Sequence, residues 1–148
     1  MKLTAFTDYS LRVLMYLAAD PDQRSTVAAI AGAFGVSENH LVKVVHFLGK
    51  HGWITTVRGK GGGISLARPA AEIRVGRVVR DTEGSALPAE CFGPGGGQCA
   101  ISSCCKLQDV LGDAVKAFYA VLDRHTLADI TRNRLALAKV LLIRPERT

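Results

Sequence analysis

Apolar residues recur along this chain with two rhythms, and the places where one gives way to the other mark its elements. From Thr4 to Ala18, Phe6, Val13, Leu14, Leu17 and Ala18 form a broad stripe at helical spacing, closed by Asp20-Pro21. Thr26 then caps a short helix over VAAIAGAF, Gly35 supplies a turn, and Ser37 caps a second helix from about Glu38 to Lys50. Two short helices joined by a glycine turn are a helix-turn-helix pattern. In the second, Leu41, Val44, Val45 and Leu48 share one face, while Asn39, Lys43, His46 and Lys50 share the opposite one. The rhythm then shortens. Trp53 to Val57 and Ile64 to Leu66 read as two strands joined by Arg58-Gly59-Lys60-Gly61-Gly62-Gly63, a hairpin wing.

Helical spacing returns at Val75 to Thr82, with Val75, Val78, Val79 and Thr82 on one face. Residues 84 to 98 shift to Gly, Pro and small side chains, the composition of a loop. Beyond it, Leu107, Val110, Leu111, Ala114, Val115, Phe118, Val121 and Leu122 repeat by threes and fours, a seam suited to a partner helix. Thr126 opens another short helix, TLADI, with Asp129 placed for a capping box. Arg132 to Thr148 is expected to fray. The predicted fold is mainly α with a small β-hairpin: a winged helix-turn-helix over 1–83, a cysteine-rich loop over 84–105, and a dimerisation helix with a C-terminal segment over 106–148.

Charge gives the wing and the second helix a partner. The net charge is +6, and residues 1 to 80 hold 11 Lys/Arg against 5 Asp/Glu, whereas residues 81 to 148 hold 8 of each. An excess confined to the half that carries the helix-turn-helix points to a polyanion, nucleic acid before membrane. Asn reads adenine in a bidentate way, Lys and His donate to guanine edges or phosphates, and glycines let a basic hairpin tip approach a phosphate backbone. The predicted DNA-facing set is Ser37, Asn39, His40, Lys43, His46 and Lys50, with Arg58 and Lys60 at the wing tip. Nucleotide binding is a poor alternative, because GKGGG lacks phosphate-loop spacing. An enzyme is disfavoured too, since no paired acid-base motif, nucleophile elbow or cofactor fingerprint gathers the Asp, Glu and His residues. With no signal-like or membrane-length apolar run, a cytoplasmic protein is expected.

All four cysteines lie in CFGPGGGQCAISSCC, the fifteen residues from Cys91 to Cys105. In a reducing compartment such residues bind metal more often than they form disulfides. The spacing Cys91-x7-Cys99-x5-Cys105 matches neither zinc-ribbon knuckles nor ferredoxin runs. Three cysteines on a glycine-rich loop suit three corners of an iron-sulfur cluster, with only one of the adjacent Cys104 and Cys105 facing it. A thiol or zinc redox switch uses the same residues.

Several stretches together resemble the Rrf family of winged-helix iron-sulfur regulators: LTAFTDYSLRVLMYLA, GVSENHLVKVVHFLGKHGWI, VRGKGGGISLARP, IRVGRVVRDTE, the spaced cysteines and FYAVLDRHTLADI. The closer similarity is to the nitric-oxide-sensing branch. That resemblance implies ligands at Cys91, Cys99 and Cys105, with Cys104 an extra thiol. Another branch uses a His soon after the third cysteine, where this chain has Lys106-Leu107-Gln108-Asp109. The nitric-oxide branch implies instead an acidic residue in the first helix, a place occupied by Asp8 and reaching the cluster of the other subunit. His125 is held in reserve. The implied protein is a homodimeric repressor on a twofold-symmetric operator, with a 4Fe-4S cluster favoured over 2Fe-2S and nitric oxide as its signal. A 2Fe-2S regulator of cluster assembly or redox state is the alternative within the family.

Overall fold

The computed structural model of the chain describes residues 2–84, 88–96 and 99–142. Helix α1 spans Ala5–Ala19, α2 Val27–Phe34 and α3 Glu38–Lys50; strands β1 (Ile54–Val57) and β2 (Gly63–Leu66) follow, then α4 (Val75–Glu83), α5 (Lys106–Asp123), α6 (Leu127–Ile130) and α7 (Arg134–Leu141). The winged helix-turn-helix and the long helix are therefore present as the periodicity predicted. Thr4 and Thr26 cap α1 and α2, accepting from the backbone N–H groups of Thr7 and Ala29. Gly35 turns the chain between α2 and α3 at φ 63, a left-handed conformation that a side chain would strain. Ser37 stands at the start of α3 but its hydroxyl makes no capping hydrogen bond, contrary to expectation.

Helix α1 is the central strut, packing against α3, α4, α6, α7 and β2. Val13, Leu14 and Leu17 of α1 meet Ile30 of α2, Leu41, Val44 and Leu48 of α3, Ile64 of β2, Val78 of α4 and Leu127 of α6 in one core. The polar face of α3 is thereby pinned outward. The wing pairs antiparallel from Ile54↔Leu66 to Val57↔Gly63, and Ser25 extends it by exchanging backbone hydrogen bonds with Ile64 (2.9 and 2.7 Å). In its tip turn a side chain on Gly62 would run into the carbonyl of Val57, so glycine is required there.

Two expectations change in the C-terminal third. Residues 134–141, placed in a fraying segment, form α7, because Ala and Leu favour helix and Leu141 packs onto the common core with Leu142. Residues 143–148 of that segment lie outside the described residues. The eight apolar positions of α5 do not form one seam: no residue of α5 is buried, and they divide into two rows. Leu111, Val115, Phe118 and Leu122 are half-buried, whereas Leu107 (62% exposed), Val110 (63%), Ala114 and Val121 face solvent. The capping box of α6 is present, Thr126 and Asp129 each accepting from the other's backbone N–H.

Candidate nucleic-acid interface and cysteine loop

The α3 side chains sort by face as their spacing requires. Leu41, Val44, Val45 and Leu48 are buried, while Asn39, Lys43, His46 and Lys50 are exposed, as is Ser37. His40 lies off this stripe toward α1, stacked on Tyr9 with ring centroids 6.4 Å apart. His51 belongs to the helix end instead: it stacks on Phe47 at 3.9 Å and its Nδ1 lies 2.9 Å from the Phe47 carbonyl. Arg58 and Lys60 are exposed at the wing tip. Arg24, which periodicity does not single out, joins them by donating from Nη1 to the Gly61 carbonyl at 3.0 Å. Its distance along the chain hides it from local pattern reading.

Cys91 lies in a 3-10 turn, Glu90–Phe92, that docks on α5. Gln108 Nε2 donates to the Cys91 carbonyl at 3.3 Å, and the Phe92 ring sits over Gly112, where the missing side chain leaves room. Cys105 occupies the cap position of α5, so Cys91 and Cys105 approach the same end of that helix. Cys99 and Cys104 are exposed in the turns before it, and all four thiols are free. Neither Cys104 nor Cys105 is helical, so helical phase does not separate them; burial does, Cys105 being half-buried. The donor set is the soft-ligand type that suits an iron-sulfur cluster, and none of it is locked in the core. Among the described residues, no three His, Cys, Asp or Glu side chains stand together as a metal-binding group. Asp8 is half-exposed in the first turn of α1 and pairs with Arg12 at 2.8 Å. His125 follows the far end of α5, roughly 27 Å along that helix from Cys105, out of reach of its own chain's loop.

Between the two sites lies a junction at the end of α4, where the sequence shows only helical spacing. Four successive residues at the end of α4 hold four different partners. Arg80 makes a bidentate pair with Asp123 of α5 (2.7 and 2.6 Å) and covers the Tyr119 ring at 4.4 Å. Asp81 accepts from Trp53 Nε1 at the base of the wing (3.0 Å). Thr82 accepts from the Thr7 hydroxyl (2.9 Å), and Glu83 accepts from the N–H and hydroxyl of Thr4 (2.8 and 3.0 Å). Gly84 then ends α4, and the cysteine segment follows.

Two carboxyls at this junction are held in their charged form by their partners. Partial burial pushes the Glu83 carboxyl up, but the neighbouring Thr7 hydroxyl and the hydrogen bonds from Thr4 outweigh it and hold the group below the ordinary glutamate value. Hydrogen bonding from Arg80 likewise lowers Asp123. A carboxyl depressed on folding stabilises above its unfolded pKa, about 4.3 for Glu, and loses that contribution as pH falls through the folded value. The melting temperature is thus expected to drop as pH is lowered from about 5 toward 3, and Glu83→Gln to flatten the drop. An acid limb unchanged in that variant would remove Glu83 from the account.

Against these features stand the known proteins. Residues 3–133 match the Rrf2 family, described as iron-dependent transcriptional regulators. The chain belongs to the Rrf2 family. It is 46% identical over 142 residues to the HTH-type transcriptional regulator NsrR of Geobacillus kaustophilus, covering 95% of this chain and 97% of that one. The identity to NsrR of Bacillus subtilis is also 46%, with the same coverage. Among solved structures, IscR of T. potens superposes with a TM-score of 0.71 at 28% identity, covering 90% of this chain and 88% of that one. Membership in Rrf2 makes the protein a transcriptional regulator rather than an enzyme. No helix among the described residues is long and apolar enough to cross a membrane.

Proposed function

We propose that this Rrf2 regulator is a homodimeric DNA-binding repressor whose iron-sulfur centre senses nitric oxide. The observation that carries the proposal is the pairing, within one body, of an outward polar stripe on α3 beside a basic wing with a cysteine loop docked on α5, joined through the end of α4. The naming of 46%-identical relatives as NsrR supports the choice of branch. Cys91, Cys99 and Cys105 are the cluster ligands, and Asp8 of the partner subunit is the fourth, with 4Fe-4S favoured over 2Fe-2S. Bound there, the cluster supplies an iron that reacts with nitric oxide, more readily where its ligand is an exchangeable carboxylate than a thiolate.

The chain's own residues supply the rest. The solvent-facing row of α5 offers Leu107, Val110, Ala114 and Val121 to a second copy at spacings of three, four and seven, and a twofold dimer presents two α3 stripes to two half-sites. Asn39, Lys43, His46 and Lys50 enter the major groove, Ser37 and His40 flank them, and Arg58 and Lys60 contact the backbone beside the wing.

The deciding experiment mixes anaerobically purified protein with operator DNA obtained by in vitro selection and adds nitric oxide. Bleaching of the cluster with release of DNA is expected. A protein with its cluster intact whose operator binding ignores nitric oxide would overturn the sensing role, and an iron and sulfide count of zero in active protein would favour a thiol or zinc switch. Binding should weaken steeply with salt. Lys43→Ala or Lys60→Ala should each flatten the slope of log affinity against log salt by about 0.9 if that residue neutralises one phosphate.

A further inference from the structure

Val42 is the one large apolar side chain that α3 exposes: 52% of its surface faces solvent, on a helix whose other solvent-facing side chains are polar or charged. It stands one turn from both Asn39 and His46, on the flank of the polar stripe that faces the wing. There it lines an open groove of about 350 Å³ together with His46, Gly49, Lys50, Thr56 of β1 and the less exposed Val45 of α3 and Val27 of α2. Gly49, one further turn along, adds no side chain, so the isopropyl group stands clear. The groove has lysine and histidine on its rim and no carboxylate in its lining, Glu38 lying a turn back along the helix. An apolar protein segment would have to bring acidic neighbours to match those cations. Duplex DNA already combines polyanionic walls with one apolar group on the major-groove edge of its bases, the C5-methyl of thymine.

We infer that Val42 is a specificity-determining residue that reads a thymine methyl in each half-site, beside the hydrogen-bonding contacts of Asn39, Lys43 and His46. The inference rests on the DNA-binding reading above. It makes thymine preferred over cytosine and over uracil at one position per half-site, because burying the methyl against Val42 removes both groups from water. Cytosine and uracil leave the side chain facing an unfilled gap.

The test uses the full-length protein, handled anaerobically, and a duplex enriched from a random pool with the wild-type chain. Each thymine is replaced in turn by deoxyuridine, which lacks only the methyl. Wild type is expected to lose about fourfold in affinity at one position per half-site, and roughly fifteenfold when both half-sites carry the change. Val42→Ala should bind the thymine duplex less tightly by a similar factor and lose little more on the uracil duplex. Lys43→Ala, a control on the same helix, should keep the full methyl sensitivity. Circular dichroism melting of Val42→Ala should match wild type, since the side chain is exposed. If wild type is indifferent to every methyl, or Val42→Ala keeps the wild-type sensitivity, the assignment to Val42 fails while DNA binding stands. If no duplex is enriched at all, the DNA-binding reading falls with it.

Discussion

Replacing Cys91, Cys99 or Cys105 singly with serine is expected to give a protein with little or no iron and acid-labile sulfide, whose operator binding no longer responds to nitric oxide. Cys104→Ser should keep both properties. A serine hydroxyl is a far poorer ligand for iron than a thiolate, so each of the three substitutions removes a corner that only the extra thiol of Cys104 is left to fill. Cys104 is exposed in the turn before α5, whereas Cys105 is half-buried at the cap position and Cys91 is tied to the same helix through Gln108. Iron and sulfide assays, visible absorption and operator binding before and after nitric oxide read the outcome. The ligand set is wrong if Cys104→Ser loses the cluster or if any of the other three retains it. Because the buried core includes none of the described residues of the 88–105 segment, all four variants should melt close to the cluster-free wild type. Chemistry and stability can therefore be read separately.

The second large effect lies at Gly76, inside α4. A Cβ there would overlap the Asp123 carboxylate, approaching its Cγ to 2.9 Å and the Asp123 backbone nitrogen to 3.0 Å. Ordinarily alanine stabilises the interior of a helix by about 1 kcal/mol over glycine. Here Gly76→Ala is expected to destabilise by about 1–3 kcal/mol, a fall of roughly 3–10 °C in melting temperature, because α5 has to back away and stretch the Arg80 pair. In an Asp123→Ala background most of the obstructing atoms are gone. The same substitution should then cost less by more than about 1 kcal/mol, a coupling that a double-mutant cycle resolves. Equal costs in both backgrounds, or a stabilising Gly76→Ala, would show that this contact does not set the α4–α5 spacing.

The two α5 surfaces explain why one seam was expected and two rows were found. Apolar residues at spacings of three and four identify a helix face, but a face broad enough to hold eight of them has two flanks. Only the position of α4, with Arg80 and Tyr119 in contact, separates the flank that packs inward from the one left in solvent. The same limit hid α7: Leu141 and Leu142 become core positions only because α1 lies beneath them. Arg24 was invisible for a related reason, its partner Gly61 lying beyond the whole helix-turn-helix.

The sequence alone determined the elements and their chemistry. Helical and strand periodicities specified α1 to α5 and the wing, since burial of one face is a local property that spacing records. The caps at Thr26 and Thr126 were legible because a capping side chain bonds within its own first turn. The polar stripe on α3 and the clustering of the cysteines were equally plain. Tertiary structure decided which of these features touch. The run Arg80-Asp81-Thr82-Glu83 gives no sign in sequence that its side chains reach α5, the wing base and both ends of the first turn of α1. Those partners lie 28 to 79 residues away. Which distant groups a side chain meets depends on how the helices pack, and local periodicity holds no record of that.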